Sequence, residues 1–388
     1  MAEFDIIVYG ATGFTGRLVA EYLAREYGDG SLRWAMAGRS LTKLQEVRDE
    51  IGAPADIPML TANADDPASL AQMVARATVL LTTVGPYQLY GNDLVAACAA
   101  AGTAYVDLCG EPAWMRHMID RHAATAQTSG ARIVFSCGFD SIPFDLGVYT
   151  LQEAARDKFG APAPRVKCRI RTMKGTFSGG TFASAKATMV AAAKDPSIFK
   201  LLIDPFALTP GFEGPSQPKG LLPEYDAAVG GWVAPFVMAP INTKNVHRTN
   251  ALLGHPYGTD FVYDEMVIAG LGEMGKAAAE ALAKLNPMAG DKGPKPGEGP
   301  SKEERDSGHY DLLFIGEMPD GARVEAVVTG DRDPGYGSTS KMIAESAICL
   351  VRDVPAEGKG GIWTPGGLMA EPLRERLRAH AGLTFVAG

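Results

Sequence analysis

The chain has 388 residues, 46% of them apolar and 21% charged, with a formal net charge of −8. That balance describes an ordinary globular protein long enough for two domains and a large core. An acidic chain with no basic stripe repels a phosphate backbone, which excludes nucleic acid as a partner, and five scattered cysteines without a C-x-x-C pair suit reduced thiols in the cytoplasm.

The N-terminus, with acids at Glu3 and Asp5, lacks the charge pattern of a signal peptide. Ile6 to Tyr9 is β-branched and aromatic, as a buried parallel strand requires, and it stops at Gly10. Ala11-Thr12-Gly13-Phe14-Thr15-Gly16 then completes a Gly-x-x-Gly-x-x-Gly spacing before an apolar-periodic helix. In a dinucleotide turn such glycines permit the tight bend, the approach of a pyrophosphate and close helix packing. The first-turn N–H groups and the helix dipole hold the phosphate charge. The second strand, 33–37, ends at Gly38-Arg39-Ser40 and has no acid to accept the ribose hydroxyls, as an NAD site would. Arg39, with Ser40 and Lys43, offers donors for a 2′-phosphate, so the expected cofactor is NADP(H).

Residues 41–51 have helical spacing, and 58–61 read as a third strand. The loop after that strand lies beside the adenine in a doubly wound sheet, which makes Asn63 and Asp65 candidates to contact the base; Asp65 is equally suited to cap the next helix. The fourth strand, 78–83, leads into Val84-Gly85-Pro86-Tyr87 on the nicotinamide side, where Tyr87 serves either the site or simple packing. A helix at 94–101, a fifth strand at 105–108, a helix over 115–128 and a sixth strand at 132–136 follow, closing on Cys137-Gly138-Phe139-Asp140-Ser141-Ile142-Pro143. Six strands alternating with helices predict a right-handed, doubly wound parallel α/β sheet of the Rossmann type.

Taken together, Gly10 to Gly16, Gly38-Arg39, Gly85-Pro86-Tyr87, Tyr105 to Glu111, Gly138 to Pro143, Gly179-Gly180-Thr181 and Asp333 to Gly337 resemble the saccharopine dehydrogenase-like oxidoreductases, among them the trans-acting enoyl reductase group. The resemblance implies an NADP-type Rossmann domain and a second α+β domain whose sheet covers the nicotinamide. It also implies reduction of a carbon–carbon or carbon–nitrogen double bond. The expected division is 1–144 for the nucleotide, 145–337 for substrate and a homodimer contact, and 338–388 for helices returning to the first domain.

In the second half, 145–159 reads as a helix and 165–173 as a half-buried strand. Thr181 is expected to cap a helix over 182–193, and in family members the glycine-rich turn before it lies near the substrate, which makes Gly179, Gly180 and Thr181 candidates. Asp140, Ser141 and Tyr336 join them on the substrate side. The apolar run 227–241, around Trp232, Phe236 and Met238, is too short to span a bilayer; it suits a greasy substrate or a peripheral lipid contact. Residues 288–308 are rich in Gly, Pro, Lys and Glu and read as a mobile loop, followed by a strand pair around Pro319-Asp320-Gly321 and helices over 338–351 and 368–379.

Hydride transfer asks the protein for orientation, exclusion of water and a donor for the charge that develops on the acceptor. Tyr87 is the first candidate donor, ahead of Tyr336 and Lys186, and the six histidines suggest no metal site. The expected activity is NADPH-dependent reduction of an unsaturated small-molecule or carrier-bound acyl or lipid-type substrate. One rival is an imine reductase of the saccharopine type, which would use the cations Arg165, Lys167, Arg169, Arg171 and Lys174; these alternate on one strand, whose blander reading is a solvent-exposed face. The other is a non-catalytic NADP-binding sensor or lipid-associated protein.

Overall fold

The computed structural model describes residues 2–176, 179–285, 297–355 and 357–388. The first half alternates strand and helix: β1 (Phe4–Tyr9), α1 (Phe14–Glu26), β2 (Trp34–Gly38), α2 (Leu41–Ile51), β3 (Met59–Thr61) and α3 (Pro67–Val74). It continues with β4 (Ala77–Thr82), α4 (Tyr87–Tyr90), α5 (Asn92–Ala101), β5 (Ala104–Val106), α6 (Pro112–Ser129), β6 (Arg132–Val134) and α7 (Ile142–Phe159). The second half runs β7 (Arg165–Lys174), α8 (Gly179–Lys194), α9 (Pro196–Ile203), β8 (Glu224–Asp226), β9 (Gly231–Pro235), α10 (Ala239–Leu252), β10 (Val262–Gly270) and α11 (Gly272–Lys284). It ends with α12 (Lys302–Ser307), β11 (His309–Glu317), β12 (Arg323–Gly330), α13 (Thr339–Arg352), β13 (Gly361–Trp363), α14 (Pro365–Arg376) and β14 (Leu383–Ala387).

The first sheet has the strand order β13-β6-β5-β4-β1-β2-β3, all parallel, which contains the doubly wound order 3-2-1-4-5-6. Its central strand β1 buries Ile6, Ile7 and Val8 completely, as a strand covered by helices on both faces must. The chain order reverses between β4 and β1, so the loops after β1, β2, β4, β5 and β6 gather along one edge of the sheet. The predicted six strands are joined by a seventh, β13, contributed by the C-terminal segment.

The second sheet is mixed, in the order β14-β12-β11-β7-β10-β9-β8, with β7 and β10 parallel and its other pairs antiparallel. Helices α7 and α10 back this sheet, and α13 packs on α1 and β4. The final helix α14 packs on α7, α10 and α13, while β14 joins the edge of the second sheet, so the C-terminal segment stitches both sheets.

Several expectations need correction. Helix α3 is capped by Asp66, whose carboxylate accepts from the N–H groups of Ala68 and Ser69, and not by Asp65. Helix α8 starts at Gly179, which places Thr181 inside its first turn instead of at the cap. Part of the Gly/Pro-rich run is regular: Ser301 and Glu304 form a capping box that starts α12, whereas 288–296 lies outside the described residues. The apolar run 227–241 is core only in part: Gly231, Val233, Ala234, Phe236 and Ile241 are buried, with Phe236 4% exposed and its ring against Phe144, while the rest is half-buried or exposed.

The cationic strand is also different from a solvated face. Arg169 is 1% exposed and bonds Asp226 at 2.7 Å and Asp264 at 2.8 Å, and Arg165 also pairs with Asp264. Lys167 reaches Asp226 and Glu317, and Arg171 reaches Asp311. Alternation placed these side chains on one face, but the acids that neutralise them come from β8, β10 and β11, which a local pattern cannot reveal.

Candidate functional site

Gly10 has φ of +92°, in the region that side chains avoid, and a Cβ there would lie 2.8 Å from the Val84 side chain. A Cβ on Gly16 would fall 2.1 Å from the Gly10 carbonyl oxygen, so helix α1 abuts the turn only because that side chain is missing. Gly13 is the N-cap; it supplies no side-chain cap, and the first turn of α1 contains no acid. The amides of Phe14, Thr15 and Gly16 therefore begin the helix beside a cradle shaped by missing side chains, which suits a pyrophosphate. The Thr12 side chain closes the gap to Gly38 at the end of β2.

Arg39 follows at once, is exposed, and makes no hydrogen bond or ion pair among the described residues. It is close enough to Tyr9 to pull against the burial that pushes that phenol up to about 12. Ser40 caps α2 by accepting from the Lys43 amide at 3.3 Å, and the Lys43 side chain is exposed in the same turn. Asn63 and Asp65 are exposed on the loop after β3, and Asn63 Oδ1 accepts from the Asp65 amide.

On the other side of the reversal, Val84, Gly85 and Pro86 follow β4. Tyr87 does not face this crevice. Its hydroxyl accepts from the Leu108 amide at 3.0 Å and donates to the Thr82 carbonyl at 3.4 Å, and burial drives its pKa well above the usual value. Two backbone partners occupy its hydroxyl and make it a brace between β4 and β5. Glu111, which carried no sequence signal of its own, is 3% exposed and accepts from the amides of Tyr87 and Gln88 at 2.9 Å each, which fixes the loop's course.

The second unit approaches through three of the predicted residues. Tyr336 lies in a tight turn, Pro334–Ser338, whose amides at Tyr336 and Gly337 donate to Asp333. Its ring meets Phe14 edge-on at 5.2 Å and its hydroxyl lies 3.1 Å from that of Thr181, so the glycine-rich turn, α8 and the turn after β12 converge. Gly179 is buried and its amide donates to the Glu298 carbonyl, while Gly180 is exposed. Lys186 is exposed further along α8.

Asp140 and Ser141 sit in the loop after β6, at the junction of the two units. Ser141 accepts from Asn245 at 2.7 Å. Asp140 is half-buried, and burial alone pushes its carboxyl up to about 7. Beside it lies Glu265 of β10, fully buried and held by Asn242 at 2.9 Å and Tyr263 at 3.0 Å, with its pKa driven well up, mainly by burial. The sequence offered Asp140 but not Glu265, which is brought to it from β10; Asn242 and Asn245 of α10 are both 0% exposed, and their Oδ1 atoms find no partner among the described residues.

A doubly wound sheet with an uncapped glycine turn, an arginine unpaired among the described residues where an acid would select NAD, and a second unit that reaches the site through α8 and the turn after β12 fit an NADP-binding oxidoreductase. Residues 6–134 match the family described as the saccharopine dehydrogenase NADP binding domain. A putative trans-acting enoyl reductase of Mycobacterium tuberculosis is 44% identical over 410 residues, covering 99% of this chain and 97% of that protein. A trans-acting enoyl reductase of Mycobacterium ulcerans is 38% identical over 405 residues, covering 97% and 96%. The apo saccharopine dehydrogenase (L-Glu forming) of Saccharomyces cerevisiae shares the fold, with a TM-score of 0.54 at 10% identity, across 99% of this chain and 100% of that one. The chain belongs to the trans-acting enoyl reductase family, is an NADP-dependent oxidoreductase, and takes NADP(H) as its cofactor.

No described helix is long and apolar enough to cross a membrane. All five cysteines are buried and unpaired, and among the described residues no group of His, Cys, Asp and Glu could hold a metal.

Proposed function

We propose that the protein reduces the carbon–carbon double bond of an enoyl thioester with NADPH, on a small or carrier-borne acyl substrate. The observation that carries the reading is its alignment, over nearly the whole length, with relatives bearing the enoyl reductase name. The ion pairing of Arg165 to Arg171 supports it further, since those cations are matched by carboxylates of the chain and are not held out for a dicarboxylate substrate.

Bound NADPH supplies the hydride. The amides of Phe14 to Gly16 hold the pyrophosphate and Arg39 the 2′-phosphate, while Val84, Gly85 and Pro86 border the nicotinamide side. Phe14, Tyr336 and Thr181 join the two units over that edge and exclude water. With Tyr87 committed to the backbone, Asp140 takes the part of the acid: its carboxyl gives a proton to the carbon next to the thioester carbonyl as hydride arrives at the β-carbon. In this reading 1–144 binds the nucleotide, 145–337 shapes the substrate side, and 338–388 ties the two together.

The test is incubation with 4-deuterated NADPH and a panel of enoyl thioesters, read by mass. Deuterium at the β-carbon is expected. Tight NADPH binding with no label in any acyl product would sink the reading and leave a sensor role.

A further inference from the structure

Helices α8 and α9 form a hairpin, joined at Asp195 and packed on each other, that attaches to the rest of the molecule by one side. On α8 that side holds Ser184, Thr188 and Ala191, at i, i+4 and i+7. A Cβ on Gly85 would lie 3.7 Å from Ser184 Oγ, and Gln88 donates to Thr188 at 3.0 Å. On α9 it holds Ile198, Leu201 and Leu202, all half-buried, with the Leu202 carbonyl accepting from Lys244 at 3.0 Å. At about 100° of turn per residue, the opposite side of α8 presents Lys186, Met189, Val190 and Ala193, and that of α9 presents Phe199, Lys200 and Ile203. All seven are exposed.

This amphipathicity runs against the rule for a helix facing water, which turns its polar side outward. Met189 is 69% exposed, Val190 47%, Phe199 55% and Ile203 64%. The hollow beside the hairpin is lined from the inner side, by Thr188, Ala191 and Ile198, so the outward tips stand on a ridge. The charge that accompanies them has one sign. Residues 179–203 contain Lys186, Lys194 and Lys200 against one acid, Asp195, in a chain of formal net charge −8. Lys194 and Lys200 pair with no carboxylate among the described residues, and the Asp195 carboxylate caps α9, accepting from the Ser197 amide at 2.8 Å.

A second copy of the chain, docked face to face, would set lysines against lysines. An anionic lipid surface takes both features at once: its acyl chains accept apolar tips of any shape, and its headgroup phosphates meet the ammonium groups as the tips enter. We propose that the outward face of the α8–α9 hairpin docks on an anionic lipid surface, with Met189, Val190, Phe199 and Ile203 in the apolar boundary and Lys194 and Lys200 on headgroup phosphates. Docking then holds the loop that carries Gly85 about one helix diameter, 10–12 Å, from the lipid. The proposal is independent of the substrate reduced, because vesicle binding is read without turnover.

The test floats the NADPH-bound protein with vesicles of phosphatidylcholine, alone or mixed in equal parts with phosphatidylglycerol. Binding is expected on the mixed vesicles and should weaken as salt is added. Phe199→Glu combined with Ile203→Glu should lower it at least about tenfold. Lys194→Gln combined with Lys200→Gln should lower it on the mixed vesicles and flatten its salt dependence. Because α9 buries no residue, both variants should hold NADPH as the wild type does, which separates a lost surface from a lost fold. Met274→Glu, at a methionine 86% exposed on α11, adds an acid elsewhere and should leave vesicle binding unchanged. Absence of binding to the mixed vesicles overturns the proposal, as does equal binding to both compositions or an equal loss in Met274→Glu. A dimer in sedimentation velocity that Phe199→Glu splits, without vesicle binding, gives the face to a second copy instead.

Discussion

Arg39 and Asp140 are single side chains whose environments give them separable roles. Among the described residues the Arg39 guanidinium pairs with no carboxylate, so its charge is available to the 2′-phosphate. Charged hydrogen bonds of this kind contribute about 1.5–3 kcal/mol, so Arg39→Ala should raise the Kd for NADPH roughly ten- to a hundredfold and barely change that for NADH. Calorimetry with both nucleotides checks this; an equal loss for the two would assign Arg39 to packing. Asp140 is an acid only while protonated, and with its carboxyl raised to about 7 the proton is present below that pH and lost above it. The wild-type kcat should therefore fall as pH rises through about 7. In Asp140→Asn both the rate and this limb of the profile should be lost, and a variant that keeps the limb would move the proton donor elsewhere.

Strand β7 shows how exposure sets the worth of an ion pair within one element. Removing Arg169 leaves Asp226 and Asp264, 4% and 3% exposed as residues, buried with only the more exposed Lys167 and Arg165 to answer their charge. Arg169→Ala should lower stability by about 3–5 kcal/mol. Two residues along, the Arg171–Asp311 pair is 39% and 32% exposed, and Arg171→Ala should change stability by about 1 kcal/mol or less. Urea denaturation of the two variants measures the contrast, and similar midpoints would show that water reaches the inner pair. Helices α8 and α9 stand at the opposite limit, with almost no buried surface, and their amides should exchange with solvent faster than those of α13, which buries eleven residues.

Across the whole molecule, buried acids shift the pH of greatest stability. Burial raises Asp107, Asp140 and Asp145 each to about 7. The native state then holds three protons that the unfolded chain releases near pH 4, so this stability is complete below about pH 4 and is lost as pH rises through about 7. His247, lowered to about 3 by burial, acts the other way: the unfolded chain gains its proton below about pH 6.5 and stability falls. Three groups outweigh one, so the thermal midpoint should be higher at about pH 6 than at about pH 8. A midpoint that is flat or lower at the acid value would show these carboxylates ionised in the native protein.

The first sheet was legible in the sequence because its signals are local: a β-branched run ending at Gly10, glycines at fixed offsets, and Arg39 where an acid would select another nucleotide. Those features decide strand, turn and cofactor through backbone conformation and charge within a few residues of one another. What the sequence by itself could not decide depends on partners far along the chain. Tyr87 read as a donor until Leu108 and Thr82 claimed its hydroxyl. Arg169 read as surface until Asp226 and Asp264 closed on it from other strands. The seventh strand of the first sheet arrives from residues 361–363, more than two hundred positions beyond its neighbour β6. Only tertiary structure decides such things, because a side chain's exposure and the charge beside it are properties of where distant segments meet.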